Sequence, residues 1–307
     1  MSKKSSIQTN LEYAAVCLII GGLGILPRHL AVKTGYFLGN LAYHMSRKLR
    51  QTGRRNLILA FPQLTENERT HILRESFVSL GRLLGEFSQF SKATPESLHK
   101  IVACEGLENL EAAQKKGRGV IMVTGHVGLW EYSSLALSAF GHPLNFLVRR
   151  MDNPKIERLI ESVRTKFGNR TISKVSATRT MLKILRADGT LGILTDVNTT
   201  AAEGIFVDFF GVPAATTFIM AKLALRTGAA VLPGFAVWDQ EEQRVLLNIE
   251  SPVTFEKTGD EPADVKNLTA SATKEIENCI RNYPDQWLWI HKRWRTRPQN
   301  SPPIYPV

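Results

Sequence analysis

Signatures of metal and nucleotide chemistry are missing from this chain of 307 residues. The three cysteines, Cys17, Cys104 and Cys279, are widely separated and form neither a CxxC pair nor a Cys/His cluster, which is typical of isolated thiols in a reducing compartment. The HExxH, P-loop and GxGxxG patterns are absent, so we predict neither a metal nor a cofactor. A GxSxG nucleophile elbow is also absent, which disfavours an acyl-enzyme on serine.

Acidic residues are few: 28 Asp and Glu face 39 Lys and Arg, for a formal net charge of +11. Such a balance indicates a polyanionic partner, either nucleic acid or an anionic membrane surface. The first sixty residues contain a single acid, Glu12, against a set of bases: Lys3, Lys4, Arg28, Lys33, Arg47, Lys48, Arg50, Arg54 and Arg55. Because these bases flank an apolar segment, we predict a membrane surface and no nucleic acid.

The apolar segment, residues 13–26, falls short of the roughly 20 residues that a spanning helix needs. No small-residue cleavage site follows it, which disfavours a signal peptide. We predict an interfacial or shallow anchor that continues into Ala31–Met45. The alternative is a buried core helix. If the segment spanned a bilayer, the bases after it would favour a cytoplasmic body.

The spacing of the apolar residues changes near residue 100. Helical intervals dominate Leu11–Arg55 and Thr65–Phe90, and the second stretch begins with the capping-box spacing of Thr65 and Glu68. Predicted strands then alternate with predicted helices. The strands are Gly119–Val123, Leu144–Val148, Leu191–Thr195, Ile205–Phe209, Ala230–Val237 and Val245–Ile249. The helices are Leu129–Phe140, Pro154–Phe167, Ala177–Arg186, Ala214–Arg226 and Ala263–Asn282.

This alternation predicts an α/β fold with a mixed central sheet flanked by helices. Residues 1–100 form an N-terminal helical, membrane-associating extension in this interpretation, and residues 101–307 form the α/β core. No Pro/Gly-rich linker separates the two parts, so we expect one compact domain overall.

His126 and Glu131 are the strongest candidates for catalysis, in the stretch Thr124-Gly-His-Val-Gly-Leu-Trp-Glu131. The histidine follows a predicted strand, and open α/β sheets place their chemistry at the carboxyl ends of strands. Gly125 and Gly128 loosen the backbone, so the carboxylate can meet the imidazole across the turn and make it a better base. The alternative is a surface pair without catalytic function.

Other polar candidates also follow predicted strands. Arg149 and Arg150 would bind a phosphate or stabilise an oxyanion, although a solvated basic pair is the more common case. Asp196 would hold an arginine or a substrate hydroxyl, or would cap a turn.

Phe206, Phe209 and Phe210 would line an acyl-chain pocket, with core packing as the alternative. The tail 284–297 interleaves Trp with bases, a composition that suits either nucleic acid or a membrane interface. The apolar N-terminal segment favours the membrane interface.

Four blocks together resemble the lysophospholipid acyltransferase superfamily, and within it the bacterial lipid A biosynthesis acyltransferases of the lauroyl and myristoyl type. The blocks span residues 126–131, 149–154, 204–217 and 284–298, and the resemblance runs over nearly the whole chain. Leu129 stands where the family usually has Asn, and Val197 stands where it often has Gln. Phosphatidylinositol-mannoside acyltransferases share similar blocks and are an alternative.

The resemblance implies O-acyl transfer from a fatty-acyl thioester to a hydroxyl of a glycolipid at the cytoplasmic face of the inner membrane. His126 would take the hydroxyl proton, Glu131 would orient and stabilise the imidazolium, and Arg149 would stabilise the oxyanion or anchor an acceptor phosphate. The donor would be an acyl-carrier protein, whose acidity suits the basic chain, or coenzyme A. A lipid hydrolase and a non-catalytic membrane-binding protein are the alternatives from other classes.

Overall fold

The N-terminal part of the chain is helical in the computed structural model, which describes residues 5–148, 151–173 and 177–305. Among the described residues, five α-helices precede the first strand: α1 (Ser6–Ile25), α2 (Arg28–Met45), α3 (Arg47–Ala60), α4 (Glu66–Phe87) and α5 (Pro95–Ile101). The predicted stretch Leu11–Arg55 is therefore broken twice, once at Pro27, which lacks an amide proton, and once at Ser46.

Thr65 caps α4 as its sequence predicts. The backbone N–H of Glu68 donates to the Thr65 hydroxyl, and the backbone N–H of Thr65 donates to the Glu68 carboxylate at 2.7 Å. This reciprocal capping box satisfies two of the amide donors that a helix start leaves open.

Glycines allow α2 and α4 to pack at backbone contact. A Cβ on Gly81 would overlap the carbonyl oxygen of Gly35, and a Cβ on Gly35 would overlap that of Gly81. Gly39 meets the backbone of Phe77 in the same way one turn along. The two helices therefore form one tight pair that larger residues would force apart.

The rest of the chain alternates strands with helices. The strands are β1 (Val102–Glu105), β2 (Val120–Thr124), β3 (Asn145–Val148), β4 (Arg170–Ser173), β5 (Thr190–Leu194), β6 (Gly204–Phe209), β7 (Val212–Thr217), β8 (Ala230–Asp239) and β9 (Arg244–Ile249). The helices are α6 (Leu107–Gln114), α7 (Trp130–Ala139), α8 (Pro154–Arg164), α9 (Ala177–Arg186), α10 (Ile219–Thr227) and α11 (Glu261–Asn282).

Seven strands form one sheet in the order β1-β9-β8-β2-β5-β3-β4. Strands β8, β2, β5, β3 and β4 run parallel, β9 pairs antiparallel with β8, and β1 pairs parallel with β9. The predicted mixed sheet flanked by helices is confirmed. Because β2 lies between β5 and β8, the loops after β2 and β5 meet at the same edge of the sheet.

Strands β6 and β7 form a separate hairpin where the sequence predicted a helix from Ala214. Phe210 and Gly211 both have positive φ angles, as a tight two-residue hairpin turn requires. The backbone N–H of Phe210 donates to the buried carboxylate of Glu277 at 2.7 Å, which holds this strained turn against α11. The predicted helix therefore begins later, at Ile219.

The N-terminal helices contribute to the core on both sides of the sheet. Leu57, Phe61 and Phe77 belong to the apolar cluster that also contains α10 and α11, whereas Phe87 and Phe90 belong to the cluster under α7. The helical region and the sheet thus share their cores.

Large apolar side chains on α1 and α2 face outward. The most exposed are Ile7, Leu11, Leu18, Ile25, Phe37 and Met45. In the described part of the chain, none of the helices combines the length and the apolar character needed to cross a bilayer.

Candidate active site

His126 lies in the loop between β2 and α7, at the carboxyl edge of the sheet. The loop turns at Gly128, which has a φ of 60° and touches the carbonyl of Ala236 so closely that a side chain would not fit. The N–H of Leu129 donates to that same carbonyl at 2.7 Å. The loop is thereby fixed to β8 before α7 begins.

Asp196 is the hydrogen-bond partner of the His126 ring. Thr124 of β2 pairs with Leu194 of the parallel neighbour β5. His126 and Asp196 each come two residues after this pair, so they lie side by side at the end of the sheet. Nδ1 of His126 lies 2.9 Å from Oδ1, and the backbone N–H of His126 donates to Oδ2 at 2.8 Å. The indole N–H of Trp287 also donates to Oδ2 at 2.8 Å. One carboxylate therefore receives three donors.

These contacts determine the charge of Asp196 and the tautomer of His126. Burial alone would raise the pKa of Asp196, but the charge and hydrogen bonds of His126, together with Trp287, lower it to about 2. The carboxylate is then ionised at neutral pH and accepts only, so Nδ1 carries the proton. The neutral ring keeps its lone pair on Nε2, the position that a general base needs.

The pKa of His126 is raised above the ordinary 6.5. Burial opposes the charged ring, but the Asp196 carboxylate favours it more strongly, and the charge of Glu131 adds to the effect. The arrangement therefore stabilises an imidazolium once His126 has accepted a proton.

Glu131 forms its hydrogen bonds with Arg164, which corrects the predicted bond to His126. Nε of Arg164, at the end of α8, donates to Oε2 of Glu131 at 2.9 Å, and an Nη donates to Oε1. Burial opposes the charge of the guanidinium, and the contact with Glu131 raises the pKa of Arg164 above its usual value. Because the first turn of α7 directs Glu131 toward α8, this carboxylate influences His126 through its charge rather than through a hydrogen bond.

Tyr132 anchors the start of α7 to the N-terminal helices. Its hydroxyl donates to Oε2 of Glu86, a fully buried carboxylate on α4. Nε of Arg28, at the start of α2, donates to the same oxygen at 2.9 Å. The helix that carries Glu131 is therefore held by a network that reaches across α2 and α4.

A cavity of about 500 Å³ opens at this edge of the sheet, and its volume lies within the range of small-molecule sites. Its polar side is lined by His126, Trp130, Glu131, Arg164, Asn198 and His291. Its apolar part runs between α7 and the sheet and is lined by Met122, Leu137, Leu144, Phe146, Gly192 and Leu247. The cavity thus combines an apolar inner part with a polar side at His126.

Phe209 and Phe210 pack in the core instead of lining this cavity. The Phe209 ring meets Trp287 and Trp294 at centroid distances of 5.5 and 5.7 Å, and Phe210 packs edge-on against Phe61 at 5.4 Å. Phe206, half-buried on the hairpin, is also not among the residues that line it. The apolar walls come largely from residues of the buried strands β2, β3 and β5, whose uniformly apolar pattern does not show which positions face a cavity.

The sequence predicts that Asp196 holds an arginine or a substrate hydroxyl, or caps a turn. In the structure its two oxygens accept hydrogen bonds from His126 and Trp287. Arg149 and Arg150 lie outside the described residues.

The C-terminal segment, residues 284–305, holds the loop that carries His126. Trp287 forms a bridge with Val127, and the N–H of Leu288 donates to the His126 carbonyl at 3.2 Å. Trp287, Trp289 and Trp294 are fully buried, so these tryptophans do not face a membrane as their interleaving with bases suggested.

His291 adds a second histidine to the polar side of the cavity. Its Nε2 accepts a hydrogen bond from the backbone N–H of Asn198 at 2.9 Å, and burial lowers its pKa. Neutral His291 therefore keeps the loop after β5 in place. Neither this contact nor the pairing of Arg164 has a local signal in the sequence, since the partners are far apart in the chain.

The profile of the bacterial lipid A biosynthesis acyltransferase family matches residues 1–296. The chain belongs to this family. It is an acyltransferase, and the resemblance predicted from the four sequence blocks is confirmed.

Relatives of this acyltransferase match it along nearly their whole length. The lipid A biosynthesis palmitoleoyltransferase of Escherichia coli (strain K12) is 30% identical, over 92% of this chain and 93% of the relative. The lauroyltransferase of the same strain is 28% identical, over 99% and 100% of the two chains. Lipid A biosynthesis acyltransferase 2 of Shigella flexneri is 26% identical, over 94% and 91%.

Proposed function

We propose that this acyltransferase moves a fatty acyl chain from an acyl thioester to a hydroxyl of a lipid A precursor, with His126 as the general base. The observation that carries the proposal is the oriented pair of His126 and Asp196 at the polar side of an apolar cavity. The names of the relatives support the choice of acceptor.

In the proposed reaction, Nε2 of His126 takes the proton of the acceptor hydroxyl while the oxygen attacks the thioester carbonyl. The resulting tetrahedral oxyanion collapses, the carbon–sulfur bond breaks, and the imidazolium returns the proton to the leaving thiolate. Asp196 stabilises the imidazolium between these steps. Both the base and its orienting carboxylate are thus regenerated in each turnover.

Glu131 and Arg164 border the polar side of the cavity. A guanidinium has five N–H donors, of which Glu131 takes two. We assign the remaining donors to an anionic group of the acceptor, such as a phosphate. Glu131 holds the Arg164 guanidinium in position for this contact. Arg149 and Arg150 keep their proposed roles at the oxyanion and the acceptor phosphate.

The donor in this proposal is an acyl-carrier protein or coenzyme A, whose acyl chain enters the apolar part of the cavity. The net charge of +11 favours an acidic carrier because opposite charges accelerate encounter.

We place this enzyme at the cytoplasmic face of the inner membrane, and the exposed apolar side chains of α1 and α2 support its membrane association. Ile7, Leu11 and Leu18 on α1 are each more than half exposed, and so are Phe37 and Met45 on α2. Exposed apolar side chains beside basic residues bind anionic bilayer surfaces through apolar burial and electrostatic attraction.

The test is product analysis with purified protein, an acyl-carrier thioester and a lipid A precursor. Wild type should form the acylated lipid, and His126→Ala should lose about 10²-fold or more of that rate. His71→Ala, which alters an exposed histidine on α4, is the matched control. Free fatty acid as the only product would identify a hydrolase instead, and an unchanged rate in His126→Ala would refute the assigned base.

A further inference from the structure

Two glycines stand on strands at the inner end of the cavity. Gly192 lies on β5 and Gly234 lies on β8, and β2, with Met122, runs between these two strands. All three residues line the cavity. Glycine inside a strand weakens it and often marks a place where another group comes close.

Gly192 leaves room without strain. A Cβ at this position would lie 3.4 Å from the Cβ of Phe146 and 3.6 Å from Cδ1 of Leu144, which are ordinary contacts. Both neighbours also line the cavity. An added methyl group would therefore fit the structure and would occupy space that is now part of the cavity.

Gly234 leaves room for a side chain that can move. A Cβ at this position would lie 2.5 Å from the terminal methyl carbon of Met122, so that methyl group now occupies the space beside the glycine. Methionine has three rotatable bonds and adapts readily to its surroundings. Leu247, on the strand beyond β8, also lines the cavity. The flexible side chain of Met122 therefore lies between the part of the cavity beside Gly192 and the part beside Leu247.

We propose that Gly192, Met122 and Gly234 determine the longest acyl chain that this enzyme transfers. This inference rests on the proposed acyl transfer and adds the residues that select the donor chain. Each methylene that loses its place in an apolar site lowers the transfer rate by about fourfold. A donor longer by two carbons than the cavity accepts is therefore disfavoured by roughly 15-fold.

The experiment measures kcat/KM for lipid A precursor acylation with carrier proteins that bear decanoyl, lauroyl, myristoyl or palmitoyl chains. Gly192→Ala and Gly192→Val should shift the preference toward shorter chains, and Met122→Ala should shift it toward longer ones. Gly234→Ala should act like the Gly192 variants because it pushes the methionine tip into the cavity. Thermal melting identifies any variant that fails to fold.

Val231→Ile is the matched control, since it adds one carbon to β8 on the face that belongs to the opposite apolar cluster. This control should leave the chain-length profile unchanged. Shifts in opposite directions for Gly192→Ala and Met122→Ala support the proposal. Folded, active variants that all keep the wild-type profile overturn it while the acyl transfer itself stands. Absence of acylated lipid with wild type and every donor overturns the proposed function instead.

Discussion

Replacement of Asp196 by asparagine tests the core of the mechanism with the smallest change in shape. The carboxylate accepts from Nδ1 and the backbone N–H of His126 and from the indole of Trp287. Asparagine has one acceptor oxygen for these three donors. Since two donors converge on Oδ2, the amide oxygen takes that position and the NH₂ group faces Nδ1. His126 then holds its proton on Nε2 and cannot act as a base.

The expected loss follows from the charge that is removed. With the imidazolium and carboxylate centres about 4 Å apart and an effective dielectric of about 20, their attraction is about 4 kcal/mol. That energy corresponds to about 10³-fold in rate. Because the side chain of His126 is 24% exposed, solvent screens part of the attraction, and we expect a loss of kcat between about 10² and 10³.

The assay is the initial rate of lipid acylation as a function of pH. Neutral His126 is the active form, so wild-type activity falls as the pH drops below the raised pKa of His126, which lies above 6.5. Loss of the Asp196 charge lowers that pKa, so the acid limb of the residual activity moves to lower pH. Asp188→Asn, which alters an exposed aspartate just before β5, serves as the control. A rate for Asp196→Asn within about threefold of wild type would refute the reasoning.

Three further outcomes are expected. Glu131→Gln should lower kcat/KM by about 10-fold to 10²-fold. It should move the acid limb of the pH profile less than Asp196→Asn does, because the Glu131 charge reaches His126 without a hydrogen bond. A larger shift than that of Asp196→Asn would contradict the geometry. Gly81→Ala should lower the free energy of unfolding by about 3 kcal/mol through overpacking against α2, measured by urea denaturation, and an unchanged midpoint would contradict the backbone contact. Replacement of Leu11 and Leu18 by aspartate should release the protein from anionic vesicles in a sedimentation assay without changing its melting temperature, and full retention would place the membrane contact elsewhere.

The sequence predicts His126 and Asp196 as separate candidates because each follows a buried apolar run. Their pairing depends on β2 lying beside β5, although two strands intervene in the chain. Strand order is set by packing over long sequence separations, and no local pattern records it. The sequence therefore predicts the nearby Glu131 as the partner, whereas the partner in the structure lies 70 residues away.

The composition of the C-terminal segment also does not distinguish a membrane interface from a protein core. Tryptophans interleaved with arginines suit a membrane interface, and they equally suit a core in which each polar tip finds a partner. Trp287 donates to Asp196, and Arg293, also fully buried, donates to the carbonyl of Ala215 at 2.6 Å. Only the tertiary contacts decide between these cases. The start of α4 was predictable because Thr65 and Glu68 satisfy each other locally.

The bridge from Trp287 to Val127 has a consequence for the order in which the enzyme becomes active. Translation produces His126 and Asp196 long before Trp287, and segments fold as they emerge. A growing chain that has reached residue 283 already contains every described strand of the sheet and the apolar part of the cavity wall. It lacks Trp287, which holds His126 and Asp196 together. Premature termination or proteolysis at that point would leave a product that still has the cavity for the acyl chain but cannot transfer it.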